Sequence, residues 1–149
     1  MKLSLELNDA FNQQILREYG NMLVYKRMQN YFENLQLKKL ASYFKKQSDH
    51  EKDHADIFID HLNDRTGGIV IIPEIASPPY EIKDLSDIGK IYVLVEEQTT
   101  NSIESILDLA ISMKSYVDLP LLHKMLEEQV SEEDEANEFM MKLANVKDI

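Results

Sequence analysis

The chain has 149 residues, 44% of them apolar, with 27 acidic against 16 basic side chains and a formal net charge of −11 at pH 7. This length and apolar content suit one folded core, so residues 1–149 read as a single domain. The absence of cysteine excludes disulfide frameworks, thiolate zinc sites, iron–sulfur clusters and cysteine nucleophiles, and the acidity argues against nucleic acid as a partner, because that affinity rests on Lys and Arg neutralising phosphates.

The four glycines and four prolines are few, which suits long helices, and they cluster at Gly67-Gly68, Pro73, Pro78-Pro79 and Pro120. The first predicted helix runs from about Ser4 to Leu35. Phe11, Glu18, Tyr25 and Phe32 recur every seven residues, with Ile15 and Met22 on the same face. The second runs from about Leu37 to Arg65 and is expected to stop at Gly67. Its apolar column is Leu37, Phe44 and Phe58, flanked by Leu40, Ala41, Ala55 and Leu62, with Glu51 and His54 interrupting it. The third, about Ser86 to Lys114, places Tyr92, Glu96, Thr99, Ile103, Ile106 and Ala110 on one face. Glu97 falls about 100° away beside Val93, Asn101 and Glu104. The fourth follows Asp118, a candidate N-cap, with Pro120 in its first turn. Its seam is Leu122, Met125, Gln129, Glu132, Ala136, Phe139 and Leu143.

The connections between helices one and two, and three and four, are short, so each pair forms an antiparallel hairpin. The stretch from Gly67 to Leu85 is long. A helix of about 28 residues spans roughly 42 Å, and an extended linker of nearly 20 residues can span roughly 60 Å. The linker can therefore cross the full length of a bundle. The expected fold is all-α, an up-down-down-up four-helix bundle with a long crossover loop.

Each helix then carries an ionisable or amide residue within its core stripe near mid-length: Glu18, Glu51 with His54, Glu96, and Gln129 with Glu132. Isolated buried carboxylates are costly and several sharing one interior repel each other. A shared metal ion removes both penalties. The i, i+3 spacing of Glu51 and His54 lets one helix offer a carboxylate and an imidazole to one ion, and Gln129 and Glu132 repeat that spacing. Helical bundles with di-iron centres use Glu from two helices and Glu-x-x-His from two others; here the second Glu-x-x-His is missing. His50, His61 and His123 read as solvated or supporting histidines. A competing pattern is His50-Glu51-Lys52-Asp53-His54, which matches the helical zinc-protease motif H-E-x-x-H. It leaves Glu18, Glu96 and Glu132 unexplained, and no strand-rich substrate edge accompanies it.

At these residues the sequence resembles the bacterial non-haem ferritins, from about Leu7 to Leu143. The resemblance is carried by LNDAFNQQILREYGNMLVY in the first helix, EKDH in the second, the loop GGIVIIPEIASPP, EEQTTNSIESILDLA in the third and EEQVSEEDE in the fourth. It implies a ferritin-like bundle with a di-iron (Fe2+/Fe3+) ferroxidase centre. Glu18, Glu51 and His54 would hold the first iron, with Glu51 bridging. Glu96 and Glu132 would hold the second, with Gln129 close by, and Tyr25 would stand beside the centre. Glu96 is chosen over Glu97 because it lies on the apolar stripe and keeps the family's spacing to Ile103, Leu109-Ala110 and Gln129.

Departures from the family are also present. A third iron site, common in bacterial ferritins, would use Glu128 and Glu132, but His50 and Ser131 stand where carboxylates are expected. The chain stops at Ile149, where ferritins usually add a short fifth helix. The resemblance implies a homo-oligomer, a cage of roughly 24 subunits or, without that helix, a dimer. Iron(II) oxidation with ferric storage is the expected function, and a non-storage scaffold or metal-binding module the alternative. No segment approaches the roughly 18 apolar residues of a membrane span and Met1–Ala10 has no signal-peptide core. No membrane partner and a cytoplasmic location are expected.

Overall fold

The structure, a computed structural model, describes residues 1–145. The end of the chain at Ile149, on which the fifth-helix expectation rests, lies outside them. Four long helices account for most of the described residues: α1 (Leu5–Asn34), α2 (Lys38–Asp64), α3 (Leu85–Ser112) and α4 (Leu119–Ala144), with a 3-10 turn at Tyr116–Asp118 before α4. No strand occurs among the described residues, and no helix among them is long and apolar enough to cross a membrane. The helices fall into two units, one ending at Pro79 and the other beginning at Tyr80.

In the first unit, Ser4 caps α1 by accepting from the Leu7 N–H at 3.1 Å, satisfying one of the donors that a helix start leaves open. α1 and α2 pack on each other as a hairpin. Gln36, with φ 61°, makes the reversal between them, and the Leu37 N–H closes it on Phe32 O at 3.0 Å. The predicted column of α1 is buried at Phe11, Ile15, Glu18, Tyr25 and Phe32, while Met22 is half-buried. Phe32 stacks on Phe44 with ring centroids 5.7 Å apart, and Phe11 meets Phe58 at 6.2 Å.

α2 ends earlier than the glycine signal predicts. Its last residue is Asp64 and Arg65 is the C-cap; Gly67 lies two residues further on with φ +86°. The glycine pair instead serves a close crossing, where the Leu3 N–H donates to Thr66 O at 2.8 Å. A Cβ on Gly68 would lie 2.0 Å from the Leu62 carbonyl oxygen, so a side chain is sterically excluded there.

The segment after Gly68 turns back along α1. Ile69 N–H donates to Asn8 Oδ1 at 2.8 Å, Asn12 Nδ2 donates to Ile69 O at 2.9 Å, and Ile71 N–H donates to Asn12 Oδ1 at 2.8 Å. Further along, Arg27 Nη1 donates to Pro78 O at 2.9 Å. The loop thus follows α1 from Asn8 to Arg27, about 28 Å of helix at the usual rise. A long loop without regular structure is held by side chains of the helix it covers.

In the second unit α3 starts with a capping box. Asp84 accepts from the Ser86 and Asp87 N–H groups at 3.0 and 3.3 Å, and Asp87 accepts from the Asp84 N–H at 3.2 Å. The Ser86 hydroxyl, donating to Asp84, and the Asp87 and Ser86 N–H groups hold the Asp84 carboxyl below its ordinary value. The predicted face of α3 is buried at every position, from Tyr92 through Ala110, and Glu97 is exposed. α4 packs against α3, with Tyr92 edge-on to Phe139 at 5.7 Å. It starts as expected, with Asp118 at the N-cap position and Pro120 in the first turn, but Asp118 makes no side-chain cap bond. The residue is drawn into the preceding 3-10 turn, where its buried carboxylate accepts from Ser115 Oγ.

Candidate metal centre

The first hairpin gathers three titratable side chains at the middle of its buried face. Seven-residue spacing puts Glu18 in line with Phe11 and Tyr25 on α1, and i, i+3 spacing puts Glu51 and His54 on the face of α2 that packs against it. All three are buried, with exposures of 0%, 1% and 7% in that order. One ligand atom from each lies within 4.8 Å of the others. His54 Nδ1 is 3.7 Å from Glu18 Oε2 and 3.6 Å from Glu51 Oε2. The second oxygen of Glu18, Oε1, accepts from Gln14 Nε2 at 2.9 Å, whereas Oε2 is buried with no hydrogen-bond partner.

This arrangement sets the charge state. Burial alone would lower the His54 pKa, but the hydrogen bonding and charge of Glu18 and Glu51 outweigh it and push the imidazole up to about 11. Burial works in the opposite sense on Glu18, and its close contacts with Glu51 and His54, with the Gln14 hydrogen bond, hold that carboxyl below its ordinary value. The cluster therefore keeps a proton on His54 at neutral pH, balancing buried negative charge. A divalent cation supplies the same compensation with better geometry, and two carboxylates with one imidazole suit a hard to borderline ion such as iron or zinc. The donor set suits iron, the ion that the family resemblance implies.

The second hairpin gathers Glu96 and Gln129, both buried, at 0% and 1% exposure. Gln129 Nε2 lies 3.1 Å from Glu96 Oε2, 3.2 Å from Glu96 O and 3.2 Å from Thr100 Oγ1. Thr100 Oγ1 lies in turn 3.0 Å from Glu133 Oε2 and 3.1 Å from Glu96 O. Glu132 is half-buried, and its Oε2 is out of reach of solvent. The amide nitrogen of Gln129 thus faces Glu96 and Thr100 on the neighbouring helix.

Tyr25 is fully buried seven residues beyond Glu18, with its ring 6.0 Å from Phe44. His50 and His123 are exposed, and the half-buried His61 places its ring 5.1 Å from Phe11. The zinc-protease pattern separates accordingly: its two histidines differ in exposure, and His54 joins Glu51 and Glu18 rather than His50. Of the residues considered for a third site, Glu128 is half-buried while His50 and Ser131 are exposed. Sequence reasoning missed Gln14, Thr100 and Glu133. Each stands four residues from a predicted site residue, namely Glu18, Glu96 and Gln129, and that i, i+4 relation is the signal that finds them.

A family model for the ferritin-like domain matches residues 8–146. A chloroplastic ferritin of Glycine max is 34% identical over 116 residues, covering 76% of this chain and 40% of the relative. A bacterial non-heme ferritin of Staphylococcus epidermidis is 30% identical over 131 residues, covering 88% of this chain and 78% of the relative. The chain thus spans well under two thirds of the plant relative's length and over two thirds of the bacterial one. Among solved structures, an open pore ferritin from Archaeoglobus fulgidus has a TM-score of 0.93 at 26% identity, covering 98% of this chain and 88% of that one. The four helices and these likenesses agree: the chain belongs to the ferritin family and has the ferritin-like four-helix bundle fold.

Proposed function

We propose that this chain acts as one ferritin-like domain that oxidises iron(II) and stores the ferric product. The observation that carries the reading is the buried cluster of Glu18, Glu51 and His54, which brings anionic oxygens and an imidazole to one place inside an apolar face. In this reading these three residues hold one iron(II) as substrate, and Glu96 and Glu132, with the Gln129 amide oxygen, hold another. Each iron gives up one electron. Dioxygen takes two electrons and two protons and leaves as hydrogen peroxide; peroxide as oxidant takes the same and leaves as two waters. Carboxylate oxygens favour the ferric product because the harder, more charged ion gains more from anionic oxygen ligands. His54 releases its proton as iron binds. Tyr25 is assigned a place beside the chemistry, as a phenol able to supply an electron. The expected assembly is a homo-oligomer in the cytoplasm, and a closed shell with acidic surfaces would concentrate cations inside it.

The test is aerobic iron(II) oxidation, followed by oxygen uptake and ferric absorbance. Glu51→Ala combined with His54→Ala is expected to slow the reaction by more than about tenfold; wild-type rates from that variant would remove the site assignment. Light scattering on the purified chain tests storage, which needs a cage of roughly 24 subunits, and a stable dimer would favour the non-storage metal-binding module instead.

A further inference from the structure

Gln14 stands one helical turn before Glu18 and is fully buried. Burying a carboxamide in an apolar face is costly without hydrogen bonds, and this one donates an N–H to a site carboxylate, Glu18 Oε1, at 2.9 Å. The two oxygens of Glu18 are thereby made unequal. Oε1 shares its charge with a fixed donor, and Oε2 has no hydrogen-bond partner and faces His54 Nδ1 at 3.7 Å.

We propose that Gln14 is a positioning residue that makes Glu18 a single-oxygen ligand, bound to the ion through Oε2 alone. The inference rests on the metal-site reading above. A carboxylate can bind through one oxygen or chelate through both. Chelation requires Oε1 to turn into the ion's shell, away from the Gln14 N–H, and that breaks a buried, charge-assisted hydrogen bond. The hydrogen bond therefore opposes chelation and keeps one coordination position of the ion open. An oxidant or a water needs such a position, and the amide protects it from the protein's own second oxygen. Outer-shell bonds of this kind commonly fix the orientation of the ligand they touch.

The sequence supplies an internal control. Gln47 stands one turn before Glu51, as Gln14 does before Glu18, and is also buried. Its Oε1 makes no hydrogen bond, and no bond from its amide to Glu51 parallels that of Gln14. Replacing either glutamine with methionine removes a buried carboxamide of nearly the same size. Only the change at Gln14 removes a donor to a ligand.

The experiment is cobalt(II) titration of the full chain without iron, read by visible d–d absorption, for wild type, Gln14→Met, Gln47→Met and the Glu51→Ala/His54→Ala pair. Gln14→Met is expected to weaken cobalt binding ~10- to 100-fold and to lower the d–d intensity as Glu18 chelates and the coordination number rises. Gln47→Met is expected to keep the wild-type spectrum. An unchanged spectrum in Gln14→Met, or the same change in both glutamine variants, overturns the role of Gln14. A wild-type spectrum that survives loss of Glu51 and His54 overturns the metal site itself, a separate outcome. Should Gln14→Met fail to fold, a crystal structure of the wild-type chain with zinc(II) decides: Glu18 bound through one oxygen supports the inference, and chelating Glu18 overturns it.

Discussion

Gln129 on α4 donates its side-chain N–H to Glu96 on α3, Nε2 to Oε2 at 3.1 Å, and the same nitrogen lies 3.2 Å from Thr100 Oγ1. A fully buried carboxylate is thus met by an amide on the neighbouring helix of its own hairpin. Gln129→Leu removes that donor while keeping most of the volume. The metal-free chain is expected to lose about 1–3 kcal/mol of stability, the usual cost of a buried charged group deprived of a hydrogen bond. Thr100→Val, which removes one acceptor for the amide, is expected to cost about 1 kcal/mol. Urea unfolding in the presence of a chelator measures both, and a Gln129→Leu variant as stable as wild type would show that this bond contributes nothing net.

Adjacent acids on α3 are expected to behave differently. Glu96 is buried on the apolar face and Glu97 is exposed. Glu96→Gln is expected to slow iron(II) oxidation by more than about tenfold. Glu97→Gln is expected to leave the rate within about twofold, as a solvated charge change usually does. Equal effects from the two variants would contradict the assignment of Glu96.

Metal binding is expected to release a proton. His54 is protonated in the metal-free cluster, with its pKa pushed up to about 11 by Glu18 and Glu51 against the opposing effect of burial, and a metal-bound imidazole must lose that proton. Titration calorimetry with zinc(II) in two buffers of different ionisation enthalpy should report about one proton released per ion near neutral pH, and apparent affinity should fall as pH falls. Binding heats independent of the buffer would refute the protonated imidazole.

The same shift sets the stability of the metal-free chain. A folded-state pKa raised above the unfolded value of 6.5 gives stability that is fully present below pH 6.5 and lost as pH rises toward about 11. Glu18 has the opposite sign: its lowered pKa gives stability present above 4.5 and lost as pH falls through the folded value. Metal-free stability should therefore decline from pH 6.5 upward. His54→Leu should flatten that decline, measured as urea midpoints at several pH values.

The loop on α1 is expected to loosen when one residue is cut back. Asn12 holds Ile69 O and the Ile71 N–H with the two ends of one carboxamide. Asn12→Ala should cost about 1–3 kcal/mol and speed hydrogen exchange at Ile71, while exchange in the middle of α2 changes little. Protection at Ile71 equal to wild type would show that the loop is held by other contacts.

Much of this was legible from local pattern. The spans of the helices and their buried faces follow from apolar periodicity, because a repeat near 3.6 residues defines a stripe whatever the stripe later meets. That alone separates Glu96 from Glu97 and marks Glu18, Glu51 and His54 as charges inside apolar columns. Helix ends were less legible. Gly67 reads as a helix stop, yet α2 ends at Asp64 and the glycines answer to a close crossing with Leu3 and Leu62. Asp118 reads as a cap and does hold the N-cap position of α4, yet its carboxylate bonds Ser115 in the turn before rather than the helix's own N–H groups. End signals name residue types, and a carboxylate or glycine satisfies whichever neighbour the packing brings within reach.

Local pattern is enough for four amphipathic helices, the faces they bury and the chemistry interrupting those faces. Which atoms meet follows from packing: His54 Nδ1 stands near one oxygen each of Glu18 and Glu51, Gln14 takes the other oxygen of Glu18, and Asn8 and Asn12 carry the long loop. The reason is physical. Periodicity is a property of a few successive turns, whereas the meeting of side chains from two helices depends on their register to within about an ångström. Close packing of the aromatic side chains sets that register once the chain has turned back on itself.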